Sequence, residues 1–298
     1  MIENTKSEGL RRSPDTRKDR KTFHPGRLLG IALLLLIGYA WLIEPNRLTV
    51  QRLVIKDPIL AQAWPGLTIV HLSDTHIGQK GAKETRLLAQ IKTLAPDLIL
   101  MSGDYRQWSK SPQAAQHFLA QLSAPLGVYG VLGDADQVQG PNDCAYCHPG
   151  ERYTERLTSP VLLQNELRHL DWRGKAITVA GVDADEAGVE WLKKLQGKAA
   201  EDHAPLLILS HQSKAWSEYP LAAHSLWLCG DTHGGQILVP DWLWQIIQHK
   251  PDTAHKGGLY SNRQGGWLLV NRGIGQTARF PFRLGVPPEL VVITFAEQ

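Results

Sequence analysis

The chain has few cysteines, no internal repeat, no low-complexity segment and no large charge imbalance. Three cysteines in 298 residues are too few for a disulfide-stapled scaffold. With 43% apolar and 20% charged residues, the composition excludes a disordered chain and is ample for a full core. The net charge of +3 is unevenly spread. Residues 1–27 hold eight Lys/Arg against four acids, a local +4 that leaves −1 for the other 271 residues. A basic tail on a near-neutral body is not the basic stripe of a nucleic-acid-binding domain, so no nucleic-acid partner is expected.

What is present first is a membrane signal. Sixteen uncharged residues run from Leu28 to Ile43, LLGIALLLLIGYAWLI. As a helix they span roughly 24 Å, slightly short of the ~30 Å hydrocarbon core, with Arg27 and Trp41 placed to anchor the ends. The absence of an amphipathic stripe argues against a buried helix. A cleaved signal peptide is the competing reading, since Gly38-Tyr39-Ala40 resembles a small-residue cleavage site, whereas Arg11-Arg12 lies too far from the apolar run for a twin-arginine signal. The expected organisation is a basic cytoplasmic tail (1–27), a transmembrane anchor (28–43) and one domain over 45–298. By the positive-inside rule this is a single-pass inner-membrane protein with its domain on the extracytoplasmic side.

The body reads as α/β. β-rich runs at Leu67–Ser73, Leu98–Ser102, Val128–Leu132, Ile177–Val182, Leu206–Ser210 and Ser225–Cys229 alternate with helical patterns. The helices are Ala82–Leu94, with Leu87, Leu88, Ile91 and Leu94 on one face, then Pro112–Leu122 and Ala187–Leu195. After Gly230 the pattern turns to strands at Gln236–Val239, Trp267–Val270 and Leu290–Phe295.

Chemistry gathers where these strands end. Asp74 and His76 follow the first, Gly103-Asp104 the second and Gly133-Asp134 the third; His211 and Gly230-Asp231-Thr232-His233-Gly234-Gly235 follow later ones. Ligands of α/β sheets bind at the carboxyl ends of strands, so these groups should converge. A single Asp there is most often a turn or cap residue, but five such strand ends in one chain are poorly explained that way. Imidazoles mixed with carboxylates suit Mn, Fe or Zn, and Asp104 is placed to bridge two ions. Two ions ~3.5–4 Å apart clamp a phosphoryl oxygen and supply a hydroxide for in-line attack.

In order and spacing, Asp74-Thr75-His76, Gly103-Asp104, Gly133-Asp134-Ala135-Asp136, His211 and Gly230-Asp231-Thr232-His233 resemble the calcineurin-like metallophosphoesterases. The membrane-anchored bacterial branch, which includes UDP-2,3-diacylglucosamine hydrolases, is most similar. It shares the segment from Gly230 to Gln236, Arg272-Gly273-Ile274-Gly275 and Pro287-Pro288-Glu289. The resemblance covers about residues 45–298 and implies a four-layer αββα sandwich around two divalent metal ions. By the family pattern Asp74, His76, Asp104 and His233 hold the first ion, and Asp104, Asp134, His211 and Asp231 the second. Asp104, Asp136 and His211 are the catalytic candidates.

Three departures fall near the second ion. Asp134 replaces a usual Asn, Ala135 a usual His, and Asp231 a usual His. Four carboxylates then neutralise two divalent ions, which weakens attraction for a phosphate dianion and favours Mn, Mg or Fe over Zn at the second position. Loss of the histidine removes a general acid worth ~10²–10⁴-fold with poor leaving groups. That loss favours phosphoanhydride substrates over simple alkyl esters, because a pyrophosphate bond already has a phosphate as its leaving group. The expected function is a membrane-anchored, dinuclear metal-dependent phosphoesterase whose partners are the bilayer and a lipid-linked or small phosphorylated substrate. A UDP-acyl-sugar fits the anchor, although such precursors are made on the cytoplasmic face. The alternative is a catalytically degenerate metal- or haem-binding membrane protein.

Side signals remain. Cys144-Ala145-Tyr146-Cys147-His148 fits covalent haem attachment, with a disulfide, another metal site or unlinked thiols as competing readings. The Trp-rich segment Pro240–Ile247 is expected to line an acyl groove or meet the membrane interface, or else to pack as a loop, with His249, Lys250, His255 and Lys256 near headgroups or solvated. Arg272, Arg279 and Arg283 are candidates for a substrate phosphate. His71, His117 and His169 read as structural, and Cys229 as core.

Overall fold

Short strands buried on both faces, with alternate side chains apolar on each, build two sheets that stack on each other. The computed structural model describes residues 25–79, 81–108, 112–136, 159–183, 188–195, 205–218, 224–247, 255–277 and 280–297. In chain order the strands are β1 (Thr49–Lys56), β2 (Ile69–Leu72), β3 (Leu98–Met101), β4 (Val128–Gly130), β5 (Val161–Leu162), β6 (Glu166–Trp172), β7 (Lys175–Val182), β8 (Leu206–Ser210), β9 (Ser225–Cys229), β10 (Gly258–Ser261), β11 (Trp267–Val270) and β12 (Glu289–Ala296). The helices are α1 (Pro25–Gly38), α2 (Pro58–Ala63), α3 (Ala82–Leu94), α4 (Gln113–Leu119), α5 (Lys214–Glu218) and α6 (Asp241–Ile247), with a further turn of helix at 188–195.

One sheet has the order β1-β12-β2-β3-β4-β5 and the other β10-β11-β9-β8-β7-β6. Ile69, Leu98, Leu100, Val291 and Ile293 of the first face Ile177, Val179, Leu207, Leu209, Leu226 and Leu228 of the second in one apolar cluster. The outer face of the first sheet, with Val70, Leu72, Ile99 and Met101, is covered by Leu87 and Ile91 of α3 and by Phe118 and Leu119 of α4. The outer face of the second is covered by Leu192 and Leu195 and includes buried Cys229. This is the αββα sandwich, each interface buried at about 25 cal/mol per Å² of apolar area.

Within each sheet the central strands run parallel, β2-β3-β4 in one and β7-β8-β9-β11 in the other. Their carboxyl ends therefore share an edge, and everything chemical follows from it.

The chain forms two compact units, Met1–Ile37 and Gly38–Gln298. Leu29, Leu33, Leu34 and Leu35 of α1 are exposed, as a lipid-facing helix requires. The helical run Gly26–Asn46 is 21 residues, about 31 Å, long and apolar enough to cross a membrane once. It is longer than the uncharged run because helical geometry continues through Glu44, Pro45 and Asn46.

Some expectations are corrected. Gln236–Val239 forms no strand: Ile237 makes a single bridge to Leu284, and Pro240 ends the run. The second helix expected in the body also contracts, Pro112–Leu122 becoming Gln113–Leu119.

Candidate metal centre

Five side chains at the shared edge sit on residues with left-handed backbone: Asp74 (φ 48°), His76 (43°), Asp104 (55°), Asp231 (71°) and His233 (51°). Non-glycine residues avoid this region, at a cost of order 1–3 kcal/mol each, and such strain concentrates at functional sites. The tight turns also demand glycine. At Gly103 (φ 96°) a Cβ would come within 2.6 Å of Gly133 N and 2.9 Å of His211 Nδ1. At Gly230 a Cβ would overlap Ser73 Oγ and Asp74 Oδ2.

Two groups of buried side chains offer ligand atoms that all lie within 4.8 Å of one another: Asp74, His76 and His233, and Asp74, Asp104 and His211. In the first, the Nε2 atoms of His76 and His233 are 3.0 Å apart, their rings stacked at 4.9 Å. Asp74 Oδ1 lies 3.4 Å from His233 Nε2, and Asp104 Oδ2 3.4 Å from His76 Nε2. Asp104 turns its other oxygen, Oδ1, toward His211 Nε2 at 3.6 Å. Asp74 thus belongs to both groups, and Asp104 reaches His76 of one and His211 of the other.

The residues fit divalent cations. His211 Nδ1 donates to the Ser102 carbonyl (2.7 Å), which leaves Nε2 buried with no hydrogen-bond partner. Around that Nε2 stand Asp104 Oδ1 at 3.6 Å and Asp231 Oδ1 at 3.7 Å, near enough for attraction and too far for a hydrogen bond. Ligand atoms about 2.1 Å from one ion lie about 3.0–3.4 Å from each other, which matches the His76–His233, His76–Asp104 and His233–Asp74 spacings. His76 Nδ1 similarly meets the Arg106 carbonyl at 3.2 Å, freeing Nε2.

Electrostatics point the same way. Burial raises Asp104 to about 7 and Asp74 to about 6, and lowers His76 to about 4. Burial also opposes a proton on His211, yet the Asp104, Asp74 and Asp231 carboxylates together hold it at about 10. Carboxylates stripped of water beside bare imidazole nitrogens are the setting that a cation relieves.

A second layer, not anticipated from sequence, fixes these groups. Ser102 Oγ, which meets His71 Nε2 at 3.0 Å, donates to Ser73 Oγ (2.8 Å), and Ser73 donates to Asp74 Oδ2 (2.5 Å). All four residues are buried. Asn271 donates to the His71 carbonyl and accepts from Gly273 N, tying the loop after β11 to β2. Small polar residues flanking an Asp at two strand ends were the only sequence signal for this chain of bonds.

Asp74, His76, Asp104, His211 and His233 are brought together, with Asp231 at their margin. Asp134 is exposed and joins neither group; it acts on Asp104 only by raising its pKa. Asp136, expected among catalytic groups, is fully buried with its carboxylate taken up by Tyr105 N (3.0 Å), Arg106 N (3.4 Å) and Gly133 N (3.0 Å). It ties the turn after Asp104 to the turn at Gly133.

Arg283 is likewise not a phosphate ligand. It is fully buried and donates to the carbonyls of Arg272, Gly273, Gly275 and Val286, with Nη2 3.4 Å from His233 Nδ1. Arg272 leans on Glu289, Nε to Oε2 at 3.5 Å. Arg279, His249, Lys250 and the Cys144, Cys147, His148 motif lie outside the described residues. The Trp-rich segment is a helix, α6: Trp244 packs against Gly235, while Trp242 and Ile246 are exposed. His255 is held between the rings of Trp216 and Tyr260, and Lys256 donates to the Val239 carbonyl, so neither is a free headgroup contact.

Comparison with known proteins agrees with the geometry. The calcineurin-like phosphoesterase family matches residues 67–234, more than half of the chain, from just before β2 to the turn holding His233. The chain belongs to that family. Among relatives of this metallophosphoesterase, the UDP-2,3-diacylglucosamine pyrophosphatase LpxG of Chlamydia muridarum is 31% identical over 84% of this chain and 90% of its own. The uncharacterized metallophosphoesterase YkuE of Bacillus subtilis is 27% identical over 86% and 88%. The phosphodiesterase YaeI of Escherichia coli is 25% identical over 66% and 70%.

Proposed function

We propose that this metallophosphoesterase is a membrane-anchored hydrolase of phosphodiester or phosphoanhydride bonds, working through two divalent metal ions. The observation that carries the reading is the unpartnered, buried Nε2 of His211, facing a carboxylate, Asp104, that also reaches the His76–His233 pair. Asp74, His76, Asp104 and His233 are the proposed ligands of one ion; Asp104 and His211, with Asp74 or Asp231, those of the other. When bound, the ions would polarise the phosphoryl oxygens and make water a competent nucleophile at neutral pH.

The chain's own residues do the rest. Asp104 sets the separation of the two positions, held by the bond from Ala135 N to its Oδ1 (2.7 Å). Ser73 and Ser102 fix Asp74, and Arg283 fixes the loop behind His233. Ala135, where the family has histidine, has no proton to give a leaving oxygen. A leaving group that departs readily as an anion is therefore preferred, as in a pyrophosphate linkage. The relative that cleaves UDP-2,3-diacylglucosamine supports the anhydride, lipid-linked end of this range. The apolar helix Gly26–Asn46 and the exposed Trp242 and Ile246 of α6 support a bilayer as partner, with the basic tail inside and the metal centre outside.

The detergent-solubilised full chain with Mn²⁺ should hydrolyse bis-p-nitrophenyl phosphate at least roughly 10²-fold more efficiently than glycerol phosphate, an alkyl monoester that needs a proton donor. Equal efficiency toward the two would refute the preference argued from Ala135.

A further inference from the structure

Beside the metal centre, a cavity of about 580 Å³ has Thr75, His76 and Gly275 in one wall and Lys83 and Arg86 of α3 in another. A second cavity of about 440 Å³ shares Lys83 and Arg86 and adds Arg47. Lys83 and Arg86 line both cavities; the two linings together add Arg47 and a single acid, Glu84. Neither Lys83 nor Arg86 is in an ion pair among the described residues. Lys83 is half-buried, and its one hydrogen bond among the described residues runs from Nζ to the Ile274 carbonyl (2.6 Å), in the loop that carries Gly275 against His76. A half-buried ammonium with two donors to spare, one helical turn from an exposed guanidinium, offers an anion charge-assisted hydrogen bonds from two cations on one helix face. Asn46, Gln79, Gln107, Gln276 and Thr277 add amides and a hydroxyl, and no large apolar side chain lines the cavity, so it suits a charged group and not an acyl chain.

We propose that this cavity receives the second, non-reacting phosphoryl group of a two-phosphate substrate, with Lys83 and Arg86 as its partners. The proposal rests on the hydrolase reading above and narrows it to phosphoanhydrides: His76 belongs both to the metal cluster and to the cavity wall, so a phosphoryl group adjoining one at the cluster is within reach of this cavity. Arg47 extends the same cationic wall.

Inhibition of bis-p-nitrophenyl phosphate hydrolysis by inorganic phosphate and by inorganic pyrophosphate, at saturating Mn²⁺, tests it on the full chain. In the wild type, pyrophosphate should compete at least roughly tenfold more tightly than phosphate, since it alone spans both positions. In Lys83→Gln/Arg86→Gln that ratio should fall toward one. Arg86→Gln alone, at an exposed position, should lower it partway and guards against misfolding of the double variant. An unchanged ratio in the variants, no preference in the wild type, or phosphate binding that does not compete with the diester would each overturn the proposal. Should the wild type not turn over the diester, the hydrolase reading fails by itself. Calorimetric titration of the Mn²⁺-loaded protein with the same two anions still reads the ratio.

Discussion

Asp104→Asn is expected to reduce Mn²⁺-dependent hydrolysis of bis-p-nitrophenyl phosphate by about 10³-fold or more, with the fold intact. Asp104 is the only described side chain with one oxygen beside His76 Nε2 (3.4 Å) and the other beside His211 Nε2 (3.6 Å). An amide keeps the shape but gives up the charge and one of the two anionic donors. Two divalent ions sharing one bridging ligand would then repel with less compensation, and the several kcal/mol that a metal pair lends to the transition state would be lost. Burial raises the Asp104 pKa to about 7 against the lowering pull of His211, so removing its charge relieves more desolvation in the empty protein than it loses in attraction. Its melting temperature should match or exceed the wild type. Retention of more than about a tenth of the activity would show that Asp104 does not bridge the site.

The second large effect is on stability. Arg283→Met should lower the melting temperature by roughly 10 °C, corresponding to about 4 kcal/mol in a domain of this size. The guanidinium is fully buried, and its donors serve four carbonyls in the 272–275 loop and at Val286. Methionine fills much of the volume but leaves those carbonyls without partners, each costing ~1–3 kcal/mol, partly offset by no longer burying a charge. Because the same side chain borders His233, metal affinity should fall with stability. Differential scanning fluorimetry with and without Mn²⁺ separates the two; a shift of under 2 °C in the metal-free protein would contradict the structural role.

These two residues mark what sequence could and could not disclose. Asp104 was legible because glycine before a carboxylate at a strand end repeats along the chain, and parallel strands deliver their carboxyl ends to one edge. The buried strands β8, β9 and β11 were read to the residue, since continuous apolar runs bounded by Gly, Pro or polar residues have few other uses. β1 was not, because it is an edge strand in which Gln51, Arg52 and Lys56 interrupt the apolar pattern. Arg283 looked like a phosphate ligand because an arginine's partners are set by tertiary structure; only the coordinates show its donors spent on carbonyls. Asp134 and Asp136 illustrate the same limit. Two residues apart, one is solvent-exposed and the other clamped by three backbone N–H groups, a difference set by a turn whose geometry no spacing rule encodes.

The central claim is that the cluster at the shared sheet edge holds two metal ions across Asp104. Anomalous scattering from crystals grown with Mn²⁺ tests it directly. Two peaks are expected, one between the His76 and His233 Nε2 atoms and Asp74, the other at His211 Nε2, each within about 2.3 Å of an Asp104 oxygen. A single peak, or peaks that leave His211 Nε2 without a ligand, would contradict the account.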